Sequence, residues 1–500
     1  VKVVFMSENL KVKIIVSEDI VSQNVNNQTS NLIINPVYVL RAPFVPTALS
    51  LGITIVTAGL ETGKNHEIEI SVLNTKLGNE ILKIINPTIN TGSGVINSFP
   101  IIFNEIPNLQ ISNLTNSNIY ISKTDWDSFE TSWDFRKHPL IDEALLISDM
   151  DDWEEMDNSS DLETSPEIEI FFDTGVDIVS SRIETCYEMY RDFTERQFNK
   201  LKSNEEELNR IFIDIYGLQD ELTPDVEDKD VTIYRIFDNK EAIPESMKSS
   251  RYALTKHDVI VSFVSYAVGC MFGRYSLDVE GLAYAGGDWD DSKYSLFIPD
   301  RDNCIPITDE EYLEDDIVGR FVEFVKVVYG ADTLEENLDF IAEALETKGN
   351  TSREMIRNYF VKDFYKDHVK TYQKRPIYWL YESGKQNGFK ALVYMHRYTA
   401  DTTGIVRVDY LHKIQKIYTS EIDRMKDMAE NSDNAREVAQ AEKRKEKLIK
   451  QLKETKEYDE KIAHLALSRI AIDLDDGVKV NYEKVQTAQD GKKLEILGKI

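Results

Sequence analysis

The sequence contains few cysteines and no long apolar run. Cys186, Cys270 and Cys304 are its three cysteines; they lie far apart and match no spacing of a metal or redox site, so we predict three buried or inert thiols. No segment approaches the roughly 18 to 20 continuous apolar residues of a membrane span. The first residues show no basic region followed by an apolar core, so we expect no signal peptide, a cytoplasmic location and no membrane partner.

Positive charge is scarce overall but is concentrated in one segment. The 500 residues include 58 Lys and Arg against 88 Asp and Glu, and the net charge of −30 disfavours indiscriminate binding of nucleic acid. Residues 351–398 nevertheless hold ten Lys or Arg against four Asp or Glu, whereas Asp142–Glu169 carries twelve acids. This segregation predicts an acidic, solvated linker over 142–177 and a basic segment over 351–398.

Hydrophobic patterning divides the chain into a β-rich part and a helical part, which predicts an α+β fold. Polar and apolar residues alternate in Glu67–Leu73, and Gly52–Thr57 is a β-branched run between turn residues, so residues 1–83 are predicted to be β-rich. Residues 84–141 form a Pro- and Gly-punctuated segment with an aromatic connector. Residues 178–404 are predicted to be mainly helical, with helices from a capping box at Ser203 to Gly217, over Thr255–Phe272 and over Leu334–Leu345.

The last hundred residues are predicted to contain a long antiparallel helical hairpin. Ile405–Arg469 has helical periodicity and mixed charge, interrupted only at Asn431–Asn434, which is typical of a turn between two helices. A short tail follows, in which a turn leads into a short strand over Val478–Tyr482.

Several long runs are informative when they are considered together. They are Ser122–Phe135, Asn204–Pro224, Gly269–Leu277, Tyr359–His368, Arg375–Leu380 and Asp473–Tyr482, with the shorter Asn86–Asn90 and Phe99–Ile102. Together they resemble the C-terminal portion of the adenine-specific DNA methyltransferase (PglX) family of BREX phage-resistance systems. The resemblance covers about residues 84–490, and residues 1–83 do not share it.

The resemblance implies an enzyme that transfers a methyl group from S-adenosylmethionine to N6 of adenine in DNA. In complete members an upstream domain holds the cofactor on a glycine-containing loop and the flipped adenine on an Asn-Pro-Pro-Tyr motif. Here Asn35-Pro36-Val37-Tyr38 departs from that motif at Val37, and Thr91–Gly94 lacks the strand–glycine–helix context of a cofactor loop. We therefore expect no catalytic, cofactor-binding or metal-binding residue in this chain, and no methylation by the chain alone.

The basic segment supplies the candidate DNA-binding residues. Lys362, Lys366, Lys370 and Lys374 recur every four residues and are predicted to form a stripe on one helix. Further cations follow them at Arg375, Lys385, Lys390 and Arg397. A row of ammonium groups neutralises phosphates and releases counterions, which positions DNA without reading its sequence. The alternative interpretation is a solvated or partner-facing surface, because Asp363 and Asp367 lie beside the stripe.

Two functional hypotheses follow. In the first, the chain is the DNA-engaging and assembly portion of an N6-adenine methyltransferase, with double-stranded DNA as its partner and either other BREX proteins or a separate methyltransferase polypeptide as a further one. In the second, it is a non-enzymatic interaction module that docks other BREX proteins. An acidic mimic of DNA would also fit the net charge, but the basic segment disfavours that hypothesis.

Overall fold

A computed structural model describes residues 2–6, 13–15, 37–40, 67–86, 99–101, 108–143, 145 and 178–500. The chain divides into two compact units, the first made of 1–127 and 191–255 and the second of 128–190 and 256–500. Each unit combines segments that are distant in sequence, whereas the segments predicted from the sequence are consecutive. Most of the predicted acidic linker, 142–177, lies outside the described residues.

The first unit begins with a small antiparallel sheet in the order β2-β1-β3. Its strands are β1 (Lys2–Met6), β2 (Lys13–Ile15) and β3 (Val37–Leu40). The strand predicted over Glu67–Leu73 is wrong, because these residues form helix α1 (Glu67–Asn74), in which Ile70, Val72 and Leu73 are all buried. A short alternation of polar and apolar residues therefore does not distinguish a strand from a short helix that is buried on most sides. The strand predicted over Gly52–Thr57 lies outside the described residues.

Three longer helices and a two-stranded parallel sheet complete the first unit. They are α2 (Lys76–Ile85), α3 (Asn108–Asp127), α4 (Ile183–Tyr216, from Arg191 onward), β4 (Arg235–Phe237) and β5 (Ala253–Thr255). The predicted start of a helix at Ser203 is wrong, since Ser203 is an exposed residue inside α4. A Ser-x-x-Glu pattern on the solvent-exposed face of a helix cannot be distinguished, by sequence alone, from a capping box at the start of a helix. The predicted end is confirmed at Gly217, which adopts φ 67°.

The second unit holds the remaining elements. They are α5 (Lys256–Met271), β6 (Ile305–Pro306), α6 (Ile317–Tyr329), α7 (Leu334–Ala344), α8 (Ser352–Lys362), α9 (Phe364–Thr371), β7 (Tyr378–Glu382), β8 (Lys390–Tyr394), α10 (Thr402–Ile405), α11 (His412–Asn431), α12 (Ala435–Ser468) and α13 (Gly477–Lys484). The helices predicted over Thr255–Phe272 and Leu334–Leu345 are confirmed as α5 and α7. The predicted strand over Val478–Tyr482 is wrong, because these residues form α13, where the Asn481 side-chain amide also donates to Gly477 O.

The predicted helical hairpin is confirmed as α11 and α12, joined at 432–434. Asn434 caps α12 by accepting a hydrogen bond from the Arg436 N–H at 3.0 Å. Arg407, in the π-helical turn Val406–Leu411 before α11, pairs at 2.7 Å with Asp459 near the end of α12. The start of one arm thus lies beside the end of the other, which makes the hairpin antiparallel.

The hairpin covers one face of the antiparallel sheet β6-β8-β7. Trp379 and Tyr381 of β7 are buried in the same apolar cluster as Tyr418 of α11 and Tyr458 of α12. Because side chains alternate along a strand, Tyr378 points to the opposite face, where it stacks on Phe272 at 5.4 Å between ring centroids. The mainly helical second unit is therefore organised around a small two-sided sheet.

A glycine in the turn between β7 and β8 makes the closest approach to the hairpin. A Cβ added to Gly388 would lie 2.7 Å from the backbone oxygen of Gln451, whereas one added to Gly404 would meet nothing within 4 Å. We expect Gly388→Ala to lower the free energy of unfolding by about 1–3 kcal/mol through overpacking. Gly404→Ala, within helix α10, should leave it unchanged or raise it slightly. Urea unfolding of both variants checks this prediction, and equal effects at the two sites would contradict it.

The three cysteines agree with the sequence prediction. Cys186, Cys270 and Cys304 are free and buried, and burial raises the pKa of the Cys186 thiol to about 12. Among the described residues, no group of three or more His, Cys, Asp or Glu side chains is arranged to hold a metal ion. No helix in the described part of the chain is long and apolar enough to cross a membrane.

Candidate nucleic-acid interface

The basic segment begins with two helices rather than one. α8 ends where the Asp363 N–H bonds to Tyr359 O at 2.8 Å, and α9 starts at the next residue with a changed direction, since Asp363 has φ −122°. The predicted single stripe is therefore wrong. Lys362 ends α8, Lys366 and Lys370 lie on α9, and Lys374 lies beyond its end. The reason is that α8 and α9 each bury their own aromatic side chains, among them Tyr359 and Phe364, in the core.

A tight turn follows α9 and fixes the position of the last cations. Gln373 and Lys374 both adopt left-handed backbone conformations, with φ 50° and 61°. Such residues cost of order 1–3 kcal/mol each and persist where the surroundings hold them. Here the Lys374 N–H bonds to Val369 O at 2.8 Å. From the inside, Nε2 of buried His368 accepts hydrogen bonds from the backbone N–H groups of Ile377 and Tyr378, at 3.1 and 3.0 Å.

Five of the predicted cations remain exposed at the end of α8, on α9 and in the turn that follows α9. We call them the basic cluster: Lys362, Lys366, Lys370, Lys374 and Arg375. Lys366 pairs with Asp363 at 2.8 Å, with 73% of its side chain still exposed, and Lys362 donates to the Asn358 amide oxygen. Lys370, Lys374 and Arg375 form no ion pair with any described residue. Their charges are accessible to a ligand.

Two predicted DNA-binding residues are structural instead. Lys390 is 7% exposed, and its ammonium group donates to Val361 O at 2.7 Å and pairs with Glu382 at 3.1 Å. Arg397 donates to the backbone oxygens of Asp300 and Phe272, and its guanidinium lies 4.3 Å from the Trp289 ring centroid. Both charges are used inside the fold, so their assignment to a DNA surface is corrected.

Lys385 is exposed but does not join the basic cluster. It lies in the turn after β7, whereas Arg375 precedes β7, so the five residues of the strand separate them by at least ~15 Å. Glu454 of α12 holds that turn by accepting hydrogen bonds from the Gln386 and Gly388 N–H groups, at 2.7 and 3.0 Å. Lys385 therefore lies in the turn between β7 and β8, where the sheet contacts helix α12 of the helical hairpin.

An ion pair that no pattern in the sequence indicated fixes α8. Arg357 contacts both carboxylate oxygens of Asp316 at 2.8 Å, and Asp316 is fully buried. Asp316 also caps α6 by accepting from the Val318 N–H at 3.0 Å. Arg357 contributed to the basic character of 351–398, yet its charge is neutralised here. Charge counting along a sequence cannot separate such residues from exposed ones, because their partners are about forty residues away.

Comparison with known proteins shows which family the chain resembles. No protein-family model matches it. It is 40% identical over 420 residues to the adenine-specific methyltransferase PglX of Lacticaseibacillus casei (strain Zhang), a match of 83% of this chain and 31% of that protein. It is 34% identical over 439 residues to the adenine-specific methyltransferase BrxX of Escherichia coli O9:H4 (strain HS), a match of 84% and 33%. The chain thus spans about a third of the length of these relatives. Its matched part belongs to the PglX family of adenine-specific methyltransferases, as the resemblance predicted.

Proposed function

We propose that this chain is the DNA-engaging portion of an adenine-specific DNA methyltransferase of a phage-defence system, corresponding to the C-terminal part of PglX-family proteins. The observation that carries the proposal is the basic cluster, five exposed cations at the end of α8, on α9 and in the following turn, which His368 fixes from within. Adenine in a nucleic acid is reached only by an enzyme that holds the surrounding strand. The matched relatives are adenine-specific, which supports a nucleic-acid ligand for this portion.

The chemistry of the cluster suits phosphates. Lysine ammonium groups on flexible stems neutralise phosphate charge and release counterions, and the Arg375 guanidinium offers a bidentate fork for phosphate oxygens. The remainder of the chain repels a polyanion, because the net charge is −30. Binding is therefore confined to this cluster, is weak, and positions DNA without reading bases.

Methyl transfer is assigned to the part of the family's proteins that this chain does not match. Binding of S-adenosylmethionine requires a glycine loop between a strand and a helix, and holding the flipped adenine requires an Asn-Pro-Pro-Tyr motif. Neither motif is intact in this sequence, where Val37 replaces the second proline. This portion then acts by placing DNA for a methyltransferase domain.

We predict that four substitutions abolish duplex binding. Replacing Lys366, Lys370, Lys374 and Arg375 by Gln removes the charges while keeping flexible polar side chains, and Gln is a good helix former at the two positions on α9. Four neutralised phosphates give a log–log salt dependence of about −3.6 for the parent chain, and the variant should bind negligibly. Fluorescence anisotropy with a labelled duplex over a range of salt concentrations measures both quantities.

A matched control removes the same charge elsewhere. Lys443, Lys450, Lys456 and Lys461 are exposed on α12, and their replacement by Gln should leave duplex affinity and its salt dependence close to those of the parent. Equal losses in the two variants would show that only the total charge matters. If the parent chain does not bind duplex at all, the proposal fails and the protein-docking hypothesis takes its place.

A further inference from the structure

One aromatic side chain of the second unit is almost wholly in solvent. Trp133 is 93% exposed, although burial of an indole contributes more than that of almost any other side chain. Isolated exposed aliphatic residues are ordinary on protein surfaces, but a fully exposed tryptophan is not. We therefore expect a ligand to cover the indole ring of Trp133.

The loop that carries Trp133 is held firmly on both sides. Three residues before it, the Glu130 carboxylate accepts a hydrogen bond from the Ser265 hydroxyl of α5 at 2.6 Å. Two residues after it, Phe135 is buried against Tyr275 and Tyr266, with ring centroids 5.3 and 5.8 Å apart. A turn at Ser132, whose N–H bonds to Phe129 O at 2.9 Å, projects the indole outward. The ring is displayed by fixed structure.

The Trp133 loop and the turn after α9 adjoin the same half-buried residue, Arg274. The Arg274 guanidinium lies 6.0 Å from the ring centroid of Tyr372, which is in the turn of the basic cluster. Glu130 also lies near Arg274. Burial raises the pKa of Glu130, and the hydrogen bond from the Ser265 hydroxyl and the positive charge of Arg274 oppose that rise. Trp133 is three residues from Glu130, and Lys374 is two residues from Tyr372. Chain geometry therefore limits their separation to about 35 Å, roughly one turn of duplex DNA.

The surroundings of the ring favour a nucleobase over an apolar protein surface. The rest of the loop is small and polar, with Ser132 and Asp134 on either side of Trp133, and Arg136 follows with 73% of its side chain exposed. A protein interface needs a cluster of apolar side chains at its centre, whereas a base needs a single π-face with polar groups around it. Leu282, half exposed in the neighbouring loop, supplies a way to distinguish these ligands.

We propose that Trp133 stacks on an unpaired nucleobase of DNA whose phosphates are held by the basic cluster. The inference rests on the proposed function and specifies its ligand as duplex DNA with a base out of the stack. Such a base offers a free π-face on which an indole can lie, whereas bases inside a regular duplex do not. Stacking is insensitive to base identity, so the preference is for the unpaired state rather than for a sequence.

The test compares two probes: a short, fully paired duplex and the same duplex with one unpaired nucleotide. We expect the full chain to bind the second probe about tenfold more tightly, which is within the range that one base–aromatic stack contributes. Trp133→Ala should remove that preference and leave affinity and salt dependence for the paired duplex unchanged, and Trp133→Phe should keep most of it. The thermal midpoint of each variant should match that of the parent, because the side chain is exposed.

Leu282→Ser and Leu467→Ala are the controls, since Leu467 is 81% exposed at the far end of α12. Both should retain the preference. Absence of a preference in the parent, or an equal loss on both probes in Trp133→Ala, overturns stacking while the phosphate contact stands. Loss of the preference in Leu282→Ser as well as in Trp133→Ala overturns it in favour of a broader apolar interface. A parent chain that binds neither probe overturns the proposed function together with this inference.

Discussion

Replacing Asp316 by alanine is expected to lower the free energy of unfolding by about 3–5 kcal/mol. The substitution leaves the Arg357 guanidinium without its counter-ion in a position where only 12% of its side chain is exposed. It also removes the acceptor for the Val318 N–H at the start of α6 and for the Thr308 hydroxyl at 3.0 Å. The penalty arises from the groups left unsatisfied, more than from the energy of the intact ion pair.

The same helix provides a matched control. Arg353 of α8 makes a bidentate pair with Glu335, at 2.6 and 2.7 Å, but the two side chains are 47% and 67% exposed. Glu335→Ala should therefore cost less than about 1 kcal/mol. Asp316→Asn, which keeps an oxygen for the N-cap, should fall between the two. Urea unfolding followed by circular dichroism measures all three, and similar losses for Asp316→Ala and Glu335→Ala would contradict the prediction.

Acid should destabilise the protein strongly through two buried histidines. Burial lowers the pKa of His138 to about 3, and burial, helped by the Arg274 charge, lowers the pKa of His368 to about 3. The unfolded chain has a pKa near 6.5 for both. Because the folded state favours the neutral rings, their contribution is complete above pH 6.5 and is lost as pH falls towards 3. Between about pH 7.5 and about pH 4.5 the two together should cost about 5 kcal/mol.

Substitution by amides that keep the acceptor position of each ring separates this effect from titration of the many carboxylates. Nδ1 of His138 accepts from the Leu140 N–H at 3.2 Å, a position that the Asn side-chain oxygen reproduces. Nε2 of His368 accepts from Ile377 and Tyr378, a position that the Gln oxygen reproduces. The His138→Asn, His368→Gln double variant should thus lose about 5 kcal/mol less than the parent over this pH interval. If unfolding free energies of parent and variant fall in parallel with pH, the histidines are not responsible.

Protonation of His368 is also expected to affect the candidate nucleic-acid interface. Its neutral ring accepts the two N–H groups that follow the basic turn, and a protonated ring has no lone pair left for them. Protonation would release the backbone that holds Lys374 and Arg375 in place. The stability of the turn and the placement of the basic cluster therefore depend on the same side chain.

Local sequence patterns predicted an element correctly wherever the residues that determine it lie within one segment. The helix α5 is strongly apolar from Val259 onward, α7 has apolar residues at helical spacing, and the hairpin turn has a run of polar turn residues at Asn431–Asn434. Gly217 ends α4 because a left-handed conformation suits glycine. Family membership was recognised from colinear runs for a similar reason, since it requires order along the chain and no contacts.

Contacts between distant segments settled the rest. Glu67–Leu73 form a helix in which Ile70, Val72 and Leu73 are buried together. Ser203 is an exposed residue inside α4, where a solvent-facing pattern resembles a cap. Whether each predicted cation is buried or exposed depends on the residues that contact it. Lys390 is buried on Val361 and Glu382, whereas Lys374 is held outward by a turn. A side chain's exposure is set by what packs against it, and those residues lie far away in the sequence. The sequence could therefore nominate the basic segment, and folding selected which of its charges remain at the surface.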